Sequence, residues 1–135
     1  MTGSFALQAA IAGALSAHAG VRLYAGTPPR IHDDVPERPV FPYITIGDDE
    51  ARDWSTGSEE GAEHALTLHV WSRYAGRREA KLLMDEIAAC LHDQPLALST
   101  RRLINLRHAG METFRLGDGE TWHGLVRFRA VTEPL

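Results

Sequence analysis

Five of the seven prolines fall between residues 28 and 42: Pro28, Pro29, Pro36, Pro39 and Pro42. Proline fixes its own φ, donates no backbone hydrogen bond and pushes the preceding residue towards extended geometry. No helix and no interior strand can run through such a segment. Residues 25–42 are therefore expected to form a long connection with extended pieces, such as Arg30 to Asp33. It divides the chain into a short N-terminal part, which could not fold alone, and a longer part that must supply the sheet.

On the N-terminal side, residues 4–17 carry Leu7, Ile11 and Leu15 at four-residue spacing with Ala14 beside them, the stripe of a helix. Ser4 is placed to act as its N-cap, and Gly20 is expected to end the helical region before a short apolar stretch, Val21 to Tyr24. Beyond the prolines, Phe41 to Gly47 holds the β-branched and aromatic run Tyr43, Ile44, Thr45 and Ile46, a strand signal. Ala62 to Tyr74 alternates Leu66, Leu68 and Val70 with Thr67, His69 and Trp71. Both of its faces carry bulk, so it is expected to be central. Asp48 to Gly61 is polar and turn-rich, either a long hairpin arm or a loop.

Gly76 to His92 is the clearest helix. Ala80, Leu83, Met84, Ile87 and Leu91 make one face, and Arg77, Arg78, Lys81, Asp85 and Glu86 the other. Asp93 and Pro95 stop it. Leu96 to Leu98 reads as a short strand and Arg101 to Leu116 as a longer one. Gly117-Asp118-Gly119-Glu120 is a hairpin turn. Thr121 to Thr132 returns with Trp122, Val126, Phe128 and Ala130 on one face and Arg127 and Arg129 on the other. The order α-β-β-α-β-β predicts a single α+β domain over 1–135: a mostly antiparallel sheet with two helices packed on one face.

Length fits one domain with a real core, and no run reaches the ~18 apolar residues of a membrane span. No basic residue precedes the first apolar run, so a signal peptide is not expected and synthesis is expected in the cytoplasm. Cys90, the single cysteine, sits on the apolar side of the second helix as a small core residue. The net charge of −4 argues against a dedicated nucleic-acid binder. Thirteen of the fourteen basic residues are arginine, a composition that suits bidentate pairing at contacts or simply reflects a GC-rich genome.

Catalytic patterns are not found. The seven histidines include no pair at i, i+2, and His108 and Glu112 would lie ~13 Å apart on a regular strand, too far to share an ion. Gly57-Ser58-Glu59-Glu60-Gly61 has the wrong spacing for a nucleophile elbow, and Gly117-x-Gly119 opens no helix that could hold a phosphate. Neither metal nor cofactor is expected. The unusual feature is acidic: Asp48, Asp49, Glu50, Asp53, Glu59, Glu60 and Glu63 crowd seven of eighteen acids into residues 48–63. They form either a solvated loop or, repeated around a ring, a negative wall facing a channel or a tube. Trp54, Trp71, Tyr74, Trp122, Arg127 and Arg129 are the candidate interface residues, because contacts favour Trp, Tyr and Arg. Trp71 and Trp122 read equally well as core.

Several stretches together carry a resemblance. They are Phe41-Pro42-Tyr43-Ile44-Thr45-Ile46-Gly47 leading to Asp53-Trp54-Ser55, Leu66 to Ser72 running into Gly76-Arg77-Arg78-Glu79-Ala80, Thr121-Trp122-His123-Gly124, and Arg127 to Ala130. With the opening helix, they resemble the phage tail terminator and tail-completion proteins over nearly the whole chain. The arginine-rich composition also looks like that of gene transfer agents. The resemblance implies a structural virion protein: a ring, a hexamer by analogy, at the head-proximal end of a non-contractile tail. Such a ring stops tube polymerisation, contacts the major tail tube protein and the head-side stopper, and lets DNA pass without sequence-specific binding. It implies no enzyme and no membrane partner. The alternatives are another neck or tail component (head-closure or tube protein) and a small metal-binding enzyme domain.

Overall fold

The computed structural model describes residues 3–57 and 60–135. The elements run α1 (Ser4–Ala17), α2 (Ala19–Ala25), β1 (Ile31–His32), β2 (Tyr43–Asp53), β3 (Ala62–Ser72), α3 (Arg78–Leu91), β4 (Arg101–Arg115) and β5 (Trp122–Pro134). One five-stranded sheet forms in the order β1-β2-β3-β5-β4. All its pairings are antiparallel except β1 with β2, so β3 is central, as its two-sided bulk requires. The fold is the expected α+β class, with one helix and one short strand more than the sequence suggested.

Alternation along the strands separates two faces. The even positions of β3, from Ala62 to Ser72, point inward with Val126, Phe128 and Ala130 of β5, Ile44 of β2 and Leu106 of β4. Against them pack Leu7, Ile11 and Leu15 of α1, Val21 and Ala25 of α2, and Ala80, Leu83, Met84, Ile87 and Leu91 of α3. Fully burying each large aliphatic or aromatic side chain contributes roughly 1.5–3 kcal/mol, so this one-sided core dominates the stability of the domain. All three helices cover the same side of the sheet, and among the described residues the opposite side has no helix.

Two helix-end expectations are corrected. Ser4 is the first helical residue rather than the cap. Gly3 precedes it, and the Ser4 hydroxyl donates to the Asp49 carboxylate at 2.8 Å. Gly20 does not end the helical region but lies inside α2. The chain breaks at His18 instead, whose Nδ1 accepts from the Val21 N–H at 3.3 Å and so caps α2, which is bent 82° from α1. Glycine costs helix stability, but a Cβ at position 20 would lie 1.8 Å from Glu86 Oε2. A side chain there would displace the Glu86 carboxylate of α3.

The polar segment after Gly47 is the hairpin arm, not a free loop. β2 continues to Asp53, and Glu50 to Asp53 pair with Ala65 to Ala62 of β3. The ladder slips between Gly47 and Glu50, where Asp48 takes a left-handed φ of 50° that aspartate tolerates. This bulge aims Asp48 at one face of the sheet and Asp49 at the other. The far edge of the sheet, β4, is partly covered. The Asp93 N–H donates to the Leu106 carbonyl at 2.8 Å, His92 Nδ1 accepts from the His108 N–H at 2.9 Å, and Ala97 bridges to Arg102. The expected strand over Leu96 to Leu98 is reduced to that bridge.

Candidate functional site

Strand register arranges the uncovered face into rows. Tyr43, Trp71, His123 and Phe114 are cross-strand neighbours in one row spanning β2, β3, β5 and β4. Trp71 lies flat on the His123 ring, with centroids 3.8 Å apart and planes 11° from parallel. Phe114 meets the other side of His123 edge-on at 5.0 Å, and Tyr43 stacks on Trp71 at 6.1 Å. The indole N–H of Trp71 donates to Thr45 Oγ1 at 3.1 Å. Flat rings so placed give a broad half-buried shelf of rigid side chains, with little conformational entropy left to lose on contact.

Beside the shelf runs a polar relay. Asp48 Oδ2 lies 3.0 Å from His69 Nε2, and His69 Nδ1 lies 2.7 Å from His123 Nε2. A carboxylate only accepts, so His69 carries its proton on Nε2 and, when neutral, accepts at Nδ1 from His123 Nε2–H. Protonating both rings would place two donors face to face. Burial first, and the neighbouring His69 second, push the His123 pKa down from 6.5 to about 4. Buried His64, bonded to Thr132 Oγ1 at 2.9 Å, is also lowered, by burial and then by Arg101.

A depressed histidine binds protons more tightly in the unfolded chain. The stability it contributes is therefore complete above 6.5 and is lost as the pH falls towards 4. We expect unfolding free energy to drop by about 2 kcal/mol across that window. Urea titrations at a series of pH values check this. His123→Gln should flatten the dependence; an equally steep profile in that variant would assign it elsewhere.

Further along the face the rows become charged. Arg52 pairs with Glu50 at 2.6 Å and reaches Glu63 at 4.0 Å; Glu63 also pairs with Arg129, and Arg127 pairs with Glu112 at 3.2 Å. The acidic arm thus mixes its carboxylates with arginines. Asp48 is held by His69, Asp49 by Ser4, and Asp53 accepts from the hydroxyl and then the N–H of Ser55, which lowers its pKa. The Glu63 side chain is only 12% exposed, and Glu60 lies in the turn of the arm. Glu59 lies outside the described residues.

The candidate interface residues separate. Trp54, at the arm's turn, and Tyr74, after β3, are exposed, as are Arg127 and Arg129 on the uncovered face. Trp71 belongs to the shelf. Trp122 points inward and is 6% exposed, with the guanidinium groups of Arg77 and Arg115 over its ring at 4.7 and 5.0 Å; it serves the core. His123, the hub of the shelf, escaped sequence reading. Its one signal was an outward position, by alternation, next to Trp122. Cys90 is half-buried, and its thiol contacts the Ala14 carbonyl at 3.5 Å.

Among the described residues no group of three His, Cys, Asp or Glu side chains converges as ion ligands. Ser4, Asp49 and His64 line a single cavity on the helix side, but its volume of about 20 Å³ holds no more than a water. The Ser4 hydroxyl donates to the Asp49 carboxylate, and His64 is engaged with Thr132 Oγ1 rather than with Ser4. What the uncovered face offers is area, flat rings and exchangeable ion pairs.

Comparison with known proteins gives consistent relatives. The family model of Tail completion protein gp17 matches residues 9–133. The tail completion protein gp17 of Bacillus phage SPP1 is 26% identical over 89 residues, a match that spans 66% of this chain and 66% of that protein. A chain in the virion of a native gene transfer agent particle superposes with a TM-score of 0.88 at 29% identity, over 96% of both chains. The solved structure of SPP1 gp17 shares the fold, with a TM-score of 0.59 at 24% identity, over 94% of this chain and 88% of that one.

Proposed function

The chain belongs to the Tail completion protein gp17 family, a structural family of virion tails and not an enzyme family, and from that premise we propose that it acts as a tail terminator. In this reading copies form a ring, six by analogy, on the head-proximal end of a non-contractile tail. The ring stops the tube from lengthening, joins it to a head-side stopper protein and leaves a passage for DNA. The observation that carries the reading is the near full-length likeness to a chain of a gene transfer agent virion.

The geometry supports it. The uncovered face presents the Trp71–His123 shelf and the Arg127 and Arg129 pairs, a composition that suits contact with protein. Heterologous contacts between identical copies close into a ring when the rotation between them closes. A ring with one side matched to the tube end and the other side unmatched lets the tube grow no further. The turn end of the acidic arm, with Glu60, borders the channel or the tube below, where negative charge keeps passing DNA from adhering.

Deleting the gene in a strain that makes the particles tests the reading. Electron microscopy should show overlong tails, or tails without heads, and restoring the chain should restore tails of uniform length. Joined particles with tails of normal length in the deletion would reject the role.

A further inference from the structure

We infer that the two opposite edges of the sheet are the two halves of the contact between neighbouring copies: the acidic β2 edge of one chain docks on the arginine-rich β4 edge of the next. This deepens the ring reading and rests on it. The occupant of each edge is a second copy of this chain.

The edges are complementary in charge. Residues 48–53 of β2 carry four acids and one arginine, whereas residues 101–115 of β4 carry four arginines and one glutamate. They are also level with each other. Glu50 pairs with Ala65, Ala65 with Arg129 and Arg129 with Arg107, so Glu50 and Arg107 end the same row on opposite sides. Asp53 shares a row with Leu103 on the helix side, and Arg102, one residue away, lies at the same end of the edge on the other face. Three successive antiparallel pairings make β2 and β4 run in opposite directions. Rotating a copy about an axis along the strands therefore sets its β2 antiparallel to the β4 of its neighbour, with Glu50 level with Arg107 on the uncovered face and no axial shift. Such a contact is heterologous, as ring closure requires.

The groups that must meet are accessible. The side chains of Glu50, Arg102 and Arg107 are 62%, 63% and 68% exposed. Their present partners are Arg52, Glu133 and Asp93, all surface pairs of the kind that contribute little and exchange readily. Ile104 of β4 is 49% exposed and supplies an apolar contact between Arg102 and Arg107. The bridge from Ala97 and the contacts of His92 and Asp93 already occupy the β4 backbone near residues 102–108. The contact is therefore one of side chains, not of strand addition, and it weakens as salt shortens the screening length.

The test uses the full chain assembled on tails. In a Cys90→Ala background, Glu50→Cys combined with Arg107→Cys should, on oxidation, give a ladder of covalent multimers ending at the ring size. Each single cysteine should give no ladder. Separately, Arg102→Glu with Arg107→Glu, or Glu50→Arg with Asp53→Arg, should abolish rings while leaving the monomer's melting curve in place, and combining both reversals should restore them. Rings without a ladder, rings that tolerate either reversal, a ladder that stops at dimers, or failure of the combined swap would overturn the edge contact. If the unmodified chain makes no ring on tails, the ring reading itself fails and this contact falls with it.

Discussion

Phe128→Ala is expected to lower the unfolding free energy by about 3–5 kcal/mol, the range for truncating a buried phenylalanine. Phe128 is 1% exposed in β5, which lies between β3 and β4. Its cross-strand neighbours are Leu66 and His108, and the His108 ring meets it edge-on at 5.7 Å. The space left by the ring cannot collapse, because both flanking strands are held in register by long ladders. Domains of this size have about 5–15 kcal/mol in all, so the variant should be marginal at physiological temperature. Urea unfolding checks the value. Phe128→Leu, which keeps most of the volume, should lose far less. A loss under about 1 kcal/mol for the alanine variant would mean the core is not organised around β5.

Gly124→Val is the second large effect, and its sign opposes local propensity. Valine suits strands better than glycine, and on that ground alone the change should stabilise. Gly124 lies inward between Val70 and Thr113, directly under α3. A Cβ there would be 2.4 Å from Met84 Sδ and 3.2 Å from its Cε and Cγ. Met84 is fully buried, so it has nowhere to withdraw without moving α3 off the sheet. Overpacking of this kind costs about 1–3 kcal/mol, which exceeds the propensity gain. Melting curves of Gly124→Val, Met84→Ala and the double variant test the cause. The double variant should be more stable than the sum of the two losses predicts, because the second change removes the clash. Simple additivity would reject the explanation.

The elements that sequence reveals are those whose own periodicity decides them. Ala80, Leu83, Met84, Ile87 and Leu91 define α3, and alternation from Leu66 to Val70 defines β3, because each pattern is complete within its segment. Alternation also placed Trp122 on the face of Val126 and Phe128, where it is buried. The misses share a different cause. Gly20 looks like a stop, but the break falls at His18, which caps α2, and the glycine sits within that helix close to the Glu86 carboxylate of α3. Asp48 to Asp53 has poor strand propensity, yet β3 supplies the ladder and an edge position tolerates charge. The two residues of β1 carry no pattern of their own. The shelf was illegible for the same reason. Trp71 and His123 are 52 positions apart in number but adjacent through register, and register is set by turns and bulges that composition does not display.

The two flanks of the sheet are guarded by different devices, a bulge studded with carboxylates on one and a lid from residues 92–97 on the other. An unprotected flank would let molecules zip together indefinitely into fibres as their concentration rose. With both guarded, copies that meet in solution are not drawn into strand pairing. Association is then left to side chains, which ionic strength and single substitutions can tune, rather than to the backbone.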